Sequence, residues 1–332
     1  MLPKNFEEPN GFKWGSFYSA EGNSLRYGHL PPAGEAKGTI VILPGFREAI
    51  EKYFEVVNDM TSRGYAVYIM DWPGQGGSDR LLWDNQQKMH SEGYDRQISA
   101  LHQFVDTVVE KDKQPLIMLG HSMGAHIGLR YLKEHEGVFD SAMLSAPMFD
   151  ITTGGMPKPL ARQISKFAKA GNYLDKYIPG GADWSEDKEI FKANLKTSDP
   201  VRFSVTTEIY KLKPDLKAGD ATYGWIYHTF ASLDILVQEE YLKSIKTPIL
   251  MQLSGDEAVV SRAAQERALT LLPNCRHVDI AGARHEIWME QDSLRDQWVA
   301  EIDTFLAERQ QKATPAPKNH KPQGLLKPPK AA

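Results

Sequence analysis

At 332 residues, 41% apolar and 25% charged, the chain is long enough for one large α/β domain with a substantial insertion. A formal net charge of −4 gives no nucleic-acid footprint, which would need a strongly basic face, and a single cysteine, Cys275, excludes an intramolecular disulfide framework. No stretch approaches the roughly 18 consecutive apolar residues of a membrane span, and the N-terminal residues lack a signal-type apolar run. The expected location is cytoplasmic, with peripheral contact at the inner face of a membrane left open.

In chain order, residues 38–43 read as a buried strand ending at Pro44-Gly45. A helical stretch over 48–62 follows, with Ile50, Phe54, Val57 and Met60 at spacings of three and four, and Gly64 stops it. Residues 65–70 are a second strand, running into the turn-rich Trp72-Pro73-Gly74-Gln75-Gly76-Gly77. Helical patterns over 95–111 and 123–134 flank a third strand at 115–119, and a fourth strand lies at 141–145. Strands apolar on both faces, alternating with amphipathic helices, predict a mostly parallel sheet covered on both sides.

The rhythm breaks after Pro147 and resumes with a strand at 248–253, a helix over 261–272, a strand at 276–280 and a helix over 293–308. The expected organisation is therefore one α/β core in two parts, 1–149 and 241–310, interrupted by a helical cap insertion at 150–240. In that insertion Leu160, Ile164 and Phe167 fall at helical spacing, with Arg162, Lys166 and Lys169 elsewhere around the helix. The expected packing sets the apolar face on the core and the lysines in water; the alternative is a basic amphipathic surface resting on anionic lipid. Residues 311–332, rich in lysine and proline, read as a disordered tail.

The chemistry is carried by Gly120-His121-Ser122-Met123-Gly124, a G-x-S-x-G pattern between an apolar strand and a helix. In so tight a turn glycine at 120 and 124 removes crowding and leaves the Ser122 hydroxyl exposed as nucleophile. A serine needs a base, and His285, after the strand at 276–280, is the candidate. Since nucleophile, acid and base should appear as Ser…Asp/Glu…His, the acid is expected past the strand at 248–253. Asp256 is assigned to that role, with Glu257 adjacent and Asp150 as the next candidate. The oxyanion donors are expected to be the backbone N–H groups of Met123 and Phe46.

The glycines around 74–77 do not make a dinucleotide loop, because Asp79 stands where a third glycine is needed. His121 and His126 lack metalloprotease spacing, and no cofactor or metal is implied.

Pro44-Gly45-Phe46-Arg47-Glu48, Glu51-Lys52-Tyr53, residues 71–78, residues 120–125, Gly255-Asp256 and Ala283-Arg284-His285-Glu286 together resemble the lysophospholipase / monoacylglycerol lipase branch of the α/β-hydrolases, related to the serine aminopeptidases. The resemblance covers roughly residues 10 to 308 and implies a carboxylic ester of a single-chain lipid as substrate, above all a lysophospholipid. A monoacylglycerol, or a small non-lipid ester or amide, is the runner-up, and a catalytically silent binding module the rival from another class. Phe46 and Arg47 replace the small residues of many monoacylglycerol lipases and would reshape the pocket mouth. Arg47 is expected to be solvated, with contact to a phosphodiester as its alternative; head group and oligomeric state are left open.

Overall fold

The structure, a computed structural model, describes residues 2–110 and 115–313. The strands expected from apolar runs are present: β3 (Thr39–Leu43), β4 (Ala66–Met70), β5 (Leu116–His121), β6 (Ser141–Ser145), β7 (Ile249–Ser254) and β8 (Cys275–Ile280). They are preceded by an antiparallel hairpin that the sequence reading missed, β1 (Lys13–Tyr18) and β2 (Ser24–Leu30). All eight form one sheet in the order β1-β2-β4-β3-β5-β6-β7-β8, parallel from β4 to β8.

Each central strand feeds both faces of the sheet because successive side chains alternate. Val41 and Leu43 pack into one core, and Ile40 and Ile42 into the other. The helices that cover these faces are α1 (Phe54–Ser62), α2 (Tyr94–Thr107), α3 (Ser122–Glu134), α8 (Arg262–Leu269) and α9 (Asp292–Ala313). The chain runs from β3 out to β4 by α1, then returns by α2 to β5 on the other side of β3. That reversal is a topological switch point, and it opens a crevice at the carboxyl ends of β3 and β5.

Between β6 and β7 the described chain contributes no strand to the sheet. It holds α4 (Lys158–Ala170), α5 (Pro200–Leu212), α6 (Tyr223–Leu236) and α7 (Glu239–Ser244). The orientation of α4 differs from the expected one. Ser165 and Ala168 are its buried residues, whereas Leu160 is 51% and Phe167 74% exposed. Arg162 and Lys169 fix this orientation from the other side. Arg162 pairs with Asp234 at 2.8 Å and lies over the Phe230 ring, and Lys169 donates to the Tyr227 hydroxyl, all on α6. Periodicity identifies an apolar stripe, but the cation contacts decide which way it faces. The Lys/Pro-rich tail expected at 311–332 lies outside the described residues from 314 onward.

Candidate active site

Leu43, the last residue of β3, pairs with Gly120 near the end of β5. The loop after β3 and the turn after β5 therefore emerge side by side. Ser122 opens α3 with φ +49°, the left-handed region that non-glycine residues avoid. The flanking glycines make that turn possible through close packing. A Cβ on Gly124 would stand 2.2 Å from the Leu43 carbonyl oxygen, and one on Gly120 would stand 2.9 Å from the Ala125 Cα. Either is far inside van der Waals contact, so no larger residue fits without moving backbone.

His285 reaches this turn from the loop after β8, and its Nε2 lies 2.9 Å from the Ser122 Oγ. Its Nδ1 lies 2.8 Å from Oε2 and 3.0 Å from Oε1 of Glu257. The expected acid, Asp256, is thus displaced by its neighbour. The turn after β7 ties the Asp256 N–H to the Ala283 carbonyl at 2.9 Å and leaves its side chain exposed. The next residue then points inward, and the Glu257 side chain is 1% exposed. Oε1 also accepts the N–H groups of Val259 and Val260, at 2.8 and 3.1 Å, and Ser254 Oγ donates to Oε2 at 3.1 Å. Burial pushes the Glu257 carboxyl up, but the bonds from His285 and the two N–H groups outweigh it and hold it below its ordinary value. The runner-up acid, Asp150, is engaged with Lys158 and the Ile151 N–H.

Phe46 and Met123, the expected oxyanion donors, sit on the two adjoining loops. Met123 is in the first turn of α3, whose N–H groups have no intrahelical acceptor. Among the described residues the Phe46 N–H finds no acceptor either.

The loop that presents Phe46 is held by groups the sequence offered only as motif letters. Gln75 Nε2 donates to the carbonyls of Gly45 and Glu48, at 2.8 and 3.0 Å, and its Oε1 accepts the Arg47 N–H at 3.3 Å. Trp72 Nε1 donates to the Pro44 carbonyl at 2.8 Å, and Asp71 accepts the N–H groups of Ile50 and Gly77. Gly76, at φ +57°, lets the turn wrap the Asp71 carboxylate, since a Cβ there would stand 2.1 Å from the Asp71 Cγ.

Beneath the loop lies a buried charge cluster. Lys52 Nζ is 2.9 Å from Glu48 and 2.7 Å from Glu286, so it joins the loop after β3 to the residue after His285. Glu48 also accepts the Gly45 N–H and the Tyr53 hydroxyl. Burial acts to raise the Glu48 carboxyl, yet Lys52, His121 and Tyr53 hold it well below the usual range. Burial lowers His121 to about 4, leaving it neutral at neutral pH. Arg47 is not free in solvent as expected. It bonds Asp220 at 3.0 Å and the Ala218 carbonyl at 2.9 Å, tying the loop to the insertion.

Two chambers of opposite character meet at Ser122. One, of 470 Å³, is lined mainly by apolar groups, among them Phe46, Met148, Ile151, Ile178, Trp225 and Ile226. The other, of 180 Å³, is lined by Glu48, Lys52, His121, Lys196, Tyr210, His285 and Glu286. It shares Arg47, Glu189, Lys196 and Val259 with a further cavity of 330 Å³. Phe46 and Val259 stand between the apolar and polar sides.

Comparison with known proteins places this geometry in a family. Residues 34–292 match the description of serine aminopeptidase, S33. The chain is 32% identical over 268 residues to lysophospholipase L2 of Escherichia coli strain K12, covering 77% of this chain and 76% of that protein. It is 25% identical to a probable lysophospholipase L2 of Haemophilus influenzae, covering 85% and 88% of the two chains. Among solved structures, a soluble variant of the Saccharomyces cerevisiae monoglyceride lipase superposes with a TM-score of 0.74 at 18% identity, covering 93% of this chain and 99% of that one. A Bacillus coagulans carboxyl esterase does so with a TM-score of 0.69 at 18% identity, covering 90% and 99%. With its sheet order and the extent of these matches, the chain belongs to the serine aminopeptidase S33 family of α/β-hydrolases.

Proposed function

We propose that this ester hydrolase cleaves the carboxylic ester of a single-chain lipid, a lysophospholipid above all, through an acyl-enzyme on Ser122. The observation that carries the reading is the pair of chambers meeting at the serine. Attack by Ser122 Oγ on the carbonyl carbon passes its proton to His285 Nε2 and places negative charge on the carbonyl oxygen. The N–H groups of Phe46 and Met123 are assigned to that oxygen. His285, oriented by Glu257, then gives the proton to the leaving alcohol. The leaving alcohol must therefore depart on the His285 side, which is the polar chamber. The acyl chain takes the apolar chamber, and water admitted on the histidine side releases the fatty acid. The 150–240 insertion serves as the cap over the acyl chain, since Ile178, Trp225 and Ile226 come from it.

Each methylene moved from water into apolar surroundings is worth about 0.8 kcal/mol. Across a series of p-nitrophenyl esters and of 1-acyl lysophosphatidylcholines, kcat/KM is expected to rise up to about fourfold per added methylene until the chamber is filled. A preference for acetyl over long chains would remove the lipid assignment.

Peripheral membrane contact is part of the same proposal. The outward residues Leu160 and Phe167 of α4 stand near the exposed Lys166, an arrangement suited to an anionic lipid surface. No helix among the described residues is long and apolar enough to cross a membrane. Replacing Leu160 and Phe167 together with serine is expected to lower cosedimentation with phosphatidylglycerol vesicles at least tenfold, with p-nitrophenyl butyrate turnover in solution retained. Unchanged vesicle binding counts against the contact.

A further inference from the structure

Among the described residues that line the polar chamber, Lys196 is the one lysine or arginine whose side chain has no hydrogen-bonded or ion-pair partner. Lys52 is held between Glu48 and Glu286, and Arg47 is bonded to Asp220 and the Ala218 carbonyl. Lys196 lines both the 180 Å³ chamber and the 330 Å³ cavity beyond it. Among the described residues its ammonium makes no hydrogen bond or ion pair. The side chain is partly buried, and burial lowers the Lys196 pKa.

The backbone that carries Lys196 is strapped to the catalytic loop. The Glu286 N–H donates to the Lys196 carbonyl at 2.8 Å, and the His285 N–H to the Leu195 carbonyl at 3.4 Å. Arg284 Nη1 bonds the carbonyls of Asn194 and Thr197, at 3.1 and 3.0 Å. The Lys196 N–H itself is taken by Asn194 Oδ1 at 2.9 Å. The lysine is therefore anchored relative to the histidine that protonates the leaving alcohol. A cation without an ion pair, carried on backbone fixed to the loop of His285 on the leaving-group side, is a site an anion can take.

We propose that Lys196 binds the phosphodiester of the leaving head group and thereby selects glycerophospholipid esters over neutral glycerol esters. This rests on the reading that the leaving alcohol occupies the polar chamber. The chemistry fits, because the phosphodiester of a 1-acyl lysophospholipid lies one glycerol's length from the ester oxygen. The outer cavity carries Asp183, Glu189 and Asp220 beside Arg47 and Lys188, and the carboxylate of Glu189, shared with the polar chamber, suits the ammonium of a choline or ethanolamine head group.

The test compares kcat/KM for lysophosphatidylcholine and for the monoacylglycerol of the same acyl chain, in wild type and Lys196→Met. The ratio of phospholipid to glyceride is expected to fall about ten- to a hundredfold, chiefly through KM, as for loss of one charge-assisted contact. Lys196→Arg should restore most of it. An unchanged ratio, or an equal loss on both substrates, overturns the proposal; an equal loss marks Lys196 as merely structural. Should wild type hydrolyse p-nitrophenyl butyrate but not lysophosphatidylcholine, the lipid reading fails by itself, and the anion site is then decided by glycerophosphocholine. Competitive inhibition of the nitrophenyl ester by that diester, weakened tenfold or more in Lys196→Met, upholds the site; no inhibition of wild type by it overturns the site.

Discussion

Ser122→Ala is expected to lower kcat by about a millionfold and to abolish labelling by a fluorophosphonate probe, as removal of the nucleophile does in hydrolases that use a serine–histidine pair. Two structural facts make this residue the target. Its Oγ lies 2.9 Å from the His285 Nε2, and its backbone is held at φ +49° by packing between α3 and the end of β3. Strain of that kind costs on the order of 1–3 kcal/mol and persists only where the surroundings impose it. Ser122→Gly should therefore be as inactive as Ser122→Ala but more stable, because glycine adopts positive φ without strain. Thermal unfolding monitored by circular dichroism separates the two variants. A folded Ser122→Ala protein that labels at the wild-type rate would place the nucleophile elsewhere. The residual rate over water would report what the oxyanion donors and substrate binding supply alone.

The parts of this molecule that sequence reveals are those whose signal is local. β3 to β7 are buried on both faces, so each reads as a short apolar run between turn residues. The G-x-S-x-G turn is legible for the same reason, since strand, turn and helix are contiguous. The β1–β2 hairpin is not, because these two outer strands are only partly buried and mix Trp14, Phe17 and Leu25 with charged and polar residues. The supports of the loop after β3 are illegible on other grounds. Gln75, Lys52 and Glu286 act through contacts with partners up to 234 residues apart in the chain (Lys52 with Glu286), which no spacing rule encodes. The orientation of α4 belongs with them, because its apolar stripe was visible while the Arg162 and Lys169 anchors on α6 were not.

The acid is the sharpest case, since a displacement of one residue decides it. Glu257→Gln is expected to reduce kcat by about ten-thousandfold, whereas Asp256→Asn should stay within a few-fold of wild type. A carboxylate on the Nδ1 side fixes the imidazole tautomer that leaves Nε2 free to accept the serine proton, and it stabilises the imidazolium once that proton has moved. A glutamine at 257 could still occupy the space, but it removes the charge. Its amide can also turn an N–H toward Nδ1, which would favour the unproductive tautomer. Glu257→Asp tests reach. A carboxylate shortened by one methylene cannot keep both the His285 contact at 2.8 Å and the Val259 N–H at 2.8 Å, so an intermediate loss is expected. The comparison with Asp256 is clean because that side chain is exposed, and only its backbone N–H is committed, to Ala283. Steady-state kinetics on one p-nitrophenyl ester suffices. If Asp256→Asn proves crippled while Glu257→Gln retains most of its turnover, the turn after β7 must adopt a different register in the working enzyme, with Asp256 facing the histidine.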